Sequence, residues 1–412
     1  MTAAAPRAPL RPLDEALAEL LGHAQTLARV ETVSTFEADG RVLAQDLVSE
    51  LQVPPQDNSS MDGYAVRSSE IADEDLVLPV SQRIPAGSAA QPLAPGTAAR
   101  IFTGAPVPEG ADAIVMQEET LPGPEGNVRI LRVPQPGQWI RRSGEDVTRG
   151  AVVLARGERL GPAALGLAAG IGMHQLAVAA RPRVALFSTG DELVMPGEVP
   201  PERMKPGAIY NSNRFFLRTL LQRLGCEVTD LGIVPDRLDA TVEALRGAAQ
   251  AHDLILTSGG VSVGEEDHIK PAVQQLGSLD LWQIAMKPGK PFAYGCVKDA
   301  HFIGLPGNPV SSFVTFLLLV RPFLLKLQGA RRLAPAPAPL MLPAHFSWRP
   351  DKRREFLRVR RDAAGGLELF PNQSSGVLTS TVWGDGLVDN PSGRAIAHGE
   401  PVAFLSFAEL LA

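Results

Sequence analysis

The chain has 412 residues, 45% of them hydrophobic, a formal charge of −6, 39 glycines and 36 prolines. At roughly 150 residues per domain this length makes two to four domains, and the apolar content excludes a disordered chain. The acidic balance excludes electrostatic binding of nucleic acid, which needs a basic surface.

The first residues, MTAAAPRAPLRPL, hold no long apolar stretch, so no secretory signal is expected. Leu13, Leu17, Leu20, Leu21, Leu27 and Val30 recur at helical spacing and predict a helix over residues 13–30. Asp14 and Glu15 sit in its first turn, where negative charge suits the helix dipole. Residues 41–51 have no clear period. From Pro54 to Gly150, short apolar runs (LVLPV, ARIFTG, DAIVMQ) alternate with Gly/Pro turns, the pattern of a small β domain. Helical sequence resumes at Gly161-Pro162, where proline suits a first helical turn. Residues 1–50 and 147–180 are therefore expected to form one discontinuous helical domain around an inserted β domain at 51–146.

Residues 181–329 alternate strands and helices, which predicts a doubly wound α/β domain on a parallel sheet. The strands are VALFSTG, CEVTDLGIV, DLILTSGG, LWQIAM, PFAYGCV and HFIGLPG. Helices are expected at 213–224, at 238–249, around Ile269, Val273 and Leu276, and after Pro309. The apolar stretch FVTFLLLV, closed by Arg321 and Pro322, falls short of the roughly 20 residues of a membrane span. It reads as a buried helix, with no membrane partner. Cys226 and Cys296 form no CxxC pair, so no structural zinc site is implied, and a reduced cytoplasmic pair is expected. The Pro/Ala-rich RRLAPAPAPLMLP reads as a linker, and the strands EFLRVRR, LELF and VAFLSF suggest a small β barrel or sandwich over 340–412.

In an open α/β sheet, ligands bind beyond the carboxyl ends of the strands. Four loops lie there: Ser188, Thr189, Gly190 with Glu192; Pro235 with Asp236; SGGVSVGEEDHIK, carrying Ser258, Gly259, Gly260, Ser262, Gly264 and Asp267; and Pro306, Gly307, Asn308, Pro309. Glycines let backbone N–H groups approach an anion, and helix N-termini add partial positive charge. Glu192, Asp236 and Asp267 would converge on the same edge. Two carboxylates about 5 Å apart repel by roughly 3 kcal/mol at an effective dielectric near 20, a cost that a hard cation removes. Any one of these acids could serve as a helix cap, but three together suggest a Mg2+–phosphate site. Lys287 and Lys290 in KPGKP form either a solvated turn or a pair of ammonium groups for an oxyanion. Asp62 and Thr103 sit in turn-rich NSSMDGYAVR and IFTGAPVPEGADAIV, and Arg141-Arg142-Ser143 either binds anions or faces water. No P-loop, nucleophile elbow or dinucleotide fingerprint is present.

Seven segments in order, NSSMDGYAVR, IFTGAPVPEGADAIVMQE, VALFSTGDEL, IYNSNR, LTSGGVSVGEEDHIK, MKPGKPFAYG and GLPGNPVSSFVTF, resemble the molybdopterin molybdotransferase family, which includes the C-terminal domain of gephyrin. The resemblance covers residues 58–316. It implies a helical domain, an inserted β domain, an α/β molybdopterin-binding domain and a C-terminal β barrel. It also implies a homodimer whose active site lies between the α/β domain of one subunit and the β domains of the other. The implied reaction is Mg2+-dependent: molybdate is inserted into adenylylated molybdopterin and AMP leaves. Asp62, Thr103, Glu192, Asp236 and Asp267 match the family's functional residues, with the last three toward the metal. Lys287, Lys290, Pro306 and Pro309 match its anion-binding and loop positions, and Arg354 and Ser375 its C-terminal ones. A molybdopterin adenylyltransferase and the acceptor proteins of the finished cofactor are the implied partners. The two alternatives are that preceding adenylyltransferase, which lacks the inserted β domain, and a non-catalytic molybdopterin-binding scaffold.

Overall fold

The structure, a computed structural model, describes residues 10–260, 268–334 and 339–411. Its centre is a six-stranded sheet. In chain order the elements are β1 (Arg183–Thr189), α1 (Asn213–Arg223), β2 (Glu227–Val234), α2 (Leu238–Ala248), β3 (Leu254–Ser258), α3 (Ile269–Leu276), β4 (Gly277–Gln283), β5 (Pro291–Val297), β6 (Ala300–Leu305) and α4 (Pro309–Leu327). The strand order is β2-β1-β3-β6-β5-β4.

Side chains alternate across β1. Val184 and Leu186 face a core shared with α1 and α4, while Ala185 and Phe187 face one shared with α2 and α3. Helices thus cover both faces, as the alternating pattern predicts. The sheet is not all parallel, however. β1 runs parallel to β2 and β3, and β3 to β6, but β6 pairs antiparallel with β5, and β5 with β4. The reason is connection length. Only Lys298 and Asp299 join β5 to β6, whereas a parallel return needs a crossover of about a dozen residues or more.

α4 is the apolar helix expected after Pro309, and nearly all of its residues are buried. It runs on through Arg321 and Pro322 to Leu327. Pro322 lacks the N–H of a regular helical turn, and the wider π turn at Phe316–Val320 lies just before it.

The N-terminal helix spans Leu13–His23 and stops well before residue 30. β-Branched Val30, Thr32 and Val33 instead form the strand Val30–Ser34, which pairs antiparallel with Gln175–Ala179. The helix buries Leu13, Ala16 and Leu20 in the core on the α4 face of the central sheet. The stretches on either side of the inserted unit do share a core, built from Leu43, Leu47, Leu160, Ala168, Leu176 and Val178. Yet ladders hold them together, including Leu47–Val48 with Val152–Leu154, and Pro162–Gly170 supplies a single helix. The expected helical domain is therefore corrected to a mixed one.

The inserted unit carries a four-stranded sheet in the order Val80–Ile84, Ala98–Ile101, Gly63–Val66, Ala113–Met116, beside a three-stranded one. In the C-terminal region the ladder runs Met286–Lys287, Arg354–Arg361, Gly386–Asn390, Pro401–Ser406, Leu340–Pro343. It turns back on itself: Ala344 bridges to Leu367, whose strand pairs with Arg354–Arg361. Met286–Lys287 belongs to the chain between β4 and β5, so this sheet is stitched directly to the α/β domain.

Candidate active site

Parallel β1, β3 and β6 end side by side, and the loops that follow them enclose a cavity of about 700 Å³. Thr189, Gly190, Glu192, Asp236, Ser258, Gly259, Gly260, Pro306, Gly307, Asn308 and Pro309 all line it. The sequence placed each of these there. Backbone geometry explains two of the glycines. Gly259 has a φ of 94°, and a Cβ there would stand 3.0 Å from the Thr189 carbonyl oxygen. A Cβ on Gly190 would stand 2.6 Å from Glu192 Oε2, so the Glu192 carboxylate folds over this glycine. Ser188 does not line the cavity. It is buried within β1, and its Oγ has no hydrogen-bond partner.

Asn213, the first residue of α1, braces the loops. Its Nδ2 donates to Ser258 Oγ at 2.6 Å and to the Gly307 carbonyl at 2.7 Å, joining the loops after β3 and β6. Glu192 is held by its main chain: its carbonyl accepts from the Ile209 N–H at 2.8 Å, and Leu193–Val194 runs parallel to Ile209–Tyr210. Asp236 reaches the same cavity from the end of β2. Ser262, Gly264 and Asp267 lie outside the described residues. Among the described residues no three His, Cys, Asp or Glu side chains form a metal cluster. Two carboxylates facing one cavity, with oxygens from a phosphorylated ligand, are nevertheless the donor set that Mg2+ takes.

Four expected binding residues lie differently. Lys287 does not line the cavity; its Nζ stands 3.2 Å from Asp351 and 3.1 Å from Glu355. Burial works against its charge, but these two hydrogen bonds outweigh it and push the ammonium above its ordinary value. The cause is the ladder that sets Lys287 beside Glu355. Lys290 is half-buried and precedes Pro291, which lines the cavity. Arg354 donates twice to Asp389, both at 2.6 Å, and to Asp14 at 2.9 Å, so it is a strut between the C-terminal region and the first helix. The Asp389 bonds, above all, raise its basicity. Ser375 approaches the cavity by its backbone: its carbonyl accepts from the Val310 N–H at 2.9 Å, and neighbouring Gly376 is a lining residue. Buried Arg358 holds that loop through the Ser374 carbonyl at 3.2 Å, and desolvation pushes its guanidinium down to about 10.

Asp62 and Thr103 do meet, though not at this cavity. Asp62 Oδ1 accepts from the Thr103 N–H and from Thr103 Oγ1, each at 2.8 Å. The backbone bond first, then the hydroxyl, hold the carboxyl below its ordinary value. Gly63 must follow Asp62 because a Cβ there would stand 2.0 Å from the Val115 carbonyl oxygen. Arg142 is internally paired, 2.6 Å from Asp57.

Sequence reasoning missed Asn211, Tyr210 and Asn213, which also line the cavity. They fall in the IYNSNR segment, but Asn211 reads equally well as the cap of the helix at 213–224 and Asn213 as its first residue.

The chain matches three family models: the MoeA N-terminal region (domain I and II) over residues 11–172, a probable molybdopterin binding domain over 185–326, and the MoeA C-terminal region (domain IV) over 341–407. A molybdopterin molybdenumtransferase of Haemophilus influenzae is 43% identical over 336 residues, 81% of this chain and 80% of that protein. One from Synechococcus elongatus is 38% identical over 392 residues, 92% of this chain and 95% of that protein. A crystal structure of a molybdopterin biosynthesis MoeA protein from Pyrococcus horikoshii is 29% identical, with a TM-score of 0.83 over 97% of this chain and 100% of that one.

Proposed function

Because this chain belongs to the MoeA family of molybdopterin molybdenumtransferases, we propose that it inserts molybdate into adenylylated molybdopterin and releases AMP. The observation that carries this reading is the cavity that joins three anion-suited loops to two carboxylates. Around Gly190, Gly260 and Gly307–Asn308 the loops suit a close approach of backbone to the pyrophosphate, while the Gly259 N–H is spent on the Leu305 carbonyl at 3.1 Å. Asn213 keeps two of them in register, so the donors are preorganised for charge that develops on the bridging oxygen. Glu192 and Asp236 orient the attacking oxygen. Mg2+ held by the same two acids would offset their repulsion toward the pyrophosphate. Lys290, beside Pro291, is the ammonium group we assign to molybdate.

Asp62 and Thr103 belong to the inserted unit and do not line this cavity. We assign them to the site of a second copy of the chain, in a homodimer with the active site between subunits. The C-terminal ladder that returns through Ala344 is read as a small barrel, and the whole protein as cytoplasmic. An adenylyltransferase acting before it and enzymes that accept the finished cofactor are the expected partners.

The test is AMP release by purified protein given adenylylated molybdopterin. AMP is expected only when both molybdate and Mg2+ are added. Formation of the adenylate from ATP and molybdopterin would assign the chain to the preceding reaction instead, and tight binding without any AMP would make it a scaffold.

A further inference from the structure

Asn211 is 2% exposed and lines the cavity, yet its Nδ2 has no hydrogen-bond partner. The orientation of its amide is fixed by chemistry. Oδ1 accepts from the Arg214 N–H at 3.3 Å, a role the NH2 group cannot fill, so Nδ2 is the end left over. The backbone is fixed too: the Asn211 N–H donates to the Val194 carbonyl at 2.9 Å, two residues beyond Glu192. A donor excluded from water and left unpaired destabilises the unliganded protein. Asn213, two residues on, has the opposite condition, with both its amide hydrogens engaged by the loops after β3 and β6.

We propose that Asn211 is a ligand-reading residue whose Nδ2 donates to a phosphate oxygen of the bound substrate. The inference rests on the molybdenumtransferase reading above and deepens it. Three features select an oxygen anion: the free group is a donor, it stands at the start of α1, and it shares its wall with the loops suited to phosphate. Two phosphates could supply that oxygen, the one AMP carries away and the one molybdopterin keeps.

The experiment measures binding of AMP and, separately, of molybdopterin to the full chain, in wild type, Asn211→Ala and Asn211→Asp, with thermal unfolding of each protein without ligand. Asn211→Ala is expected to weaken at least one ligand about tenfold, the value of one charge-assisted hydrogen bond; it also removes the acceptor of the Arg214 N–H, so its unliganded Tm should fall slightly, whereas that of Asn211→Asp should hold. Asn211→Asp keeps the acceptor for Arg214 but sets a carboxylate against the phosphate, and should weaken the same ligand further. Loss confined to AMP places the contact on the nucleotide phosphate, and loss confined to molybdopterin places it on the pterin's. Unchanged affinity for both in Asn211→Ala, or undiminished binding by Asn211→Asp with its Tm intact, would overturn the inference. Failure of the wild type to bind either ligand would overturn the functional reading itself, an outcome separate from the behaviour of the variants.

Discussion

Single residues in this chain divide into those that line the cavity and those that hold others in place. Asp62 shows how the two roles couple. It takes two hydrogen bonds from Thr103 on one oxygen and keeps its charge to lower pH than a free carboxyl. Thr103→Val removes the hydroxyl donor and leaves the backbone one, so the Asp62 carboxyl should titrate higher. The acid limb of the turnover profile should then move to higher pH, with turnover at neutral pH reduced on the order of tenfold from lost alignment. Because Thr103 is exposed, the Tm should hold, and a pH–rate profile beside a melting curve checks both. Glu192, Asp236 and the glycines that line the cavity were legible in the sequence because strand ends in an α/β pattern can be located from hydrophobicity. Asn211 was not, since a helix cap and a ligand donor use the same side chain, and only the location of its partners separates them.

Among the elements, the short strand Met286–Lys287 does more than its sequence suggested. KPGKP read as a surface turn or an anion clamp, but the ladder to Arg354–Glu355 commits Lys287 to a carboxylate that is 1% exposed. Lys287→Ala leaves Glu355 with Trp348 Nε1, at 2.7 Å, and should cost about 2 kcal/mol, the value of a hydrogen bond to a charged group whose other end is partly solvated. Denaturant unfolding would show it; a raised KM for molybdate with unchanged stability would mean that the lysine serves the ligand after all. The start of β3 holds a second such device. Asp253 accepts from Arg29 at 2.9 and 2.7 Å and from the Arg183 N–H at 2.8 Å. Burial opposes its charge, but these bonds win and lower its pKa. The stabilisation is therefore complete above about pH 4, the ordinary carboxyl value, and is lost as acid carries the pH down through the lowered one. Asn in place of Asp253 should flatten the acid limb of the stability curve, and an unaltered limb would remove the pair from the account. Element types were legible wherever period and length agreed, as in α1 and β1. They were misread where a tertiary partner decided: Leu27 and Val30 continue a helical spacing, but the ladder to Gln175–Ala179 draws the chain out. Likewise, strand direction at β5 and β6 followed from a two-residue connection that the apolar pattern did not weigh.

At the scale of the whole molecule, the separation of Asp62 and Thr103 from the cavity has a direct test. If two subunits build each site, inactive Asp62→Asn and Glu192→Gln proteins should complement when unfolded together and refolded. Random pairing makes half the dimers mixed, each with one intact site of two, so roughly a quarter of wild-type turnover should return. No recovery would place the complete machinery within one chain. The strut from Arg354 to Asp14 and the Ser375 carbonyl on the Val310 N–H tie the C-terminal region to both the first helix and the head of α4. The second of these ties bears on the shape of the cavity. One edge of the ligand chamber is set by a strand-rich appendage rather than by the phosphate loops themselves. A change of packing inside that appendage would therefore reshape the rim of the chamber without altering a residue of the loops after β1, β3 and β6.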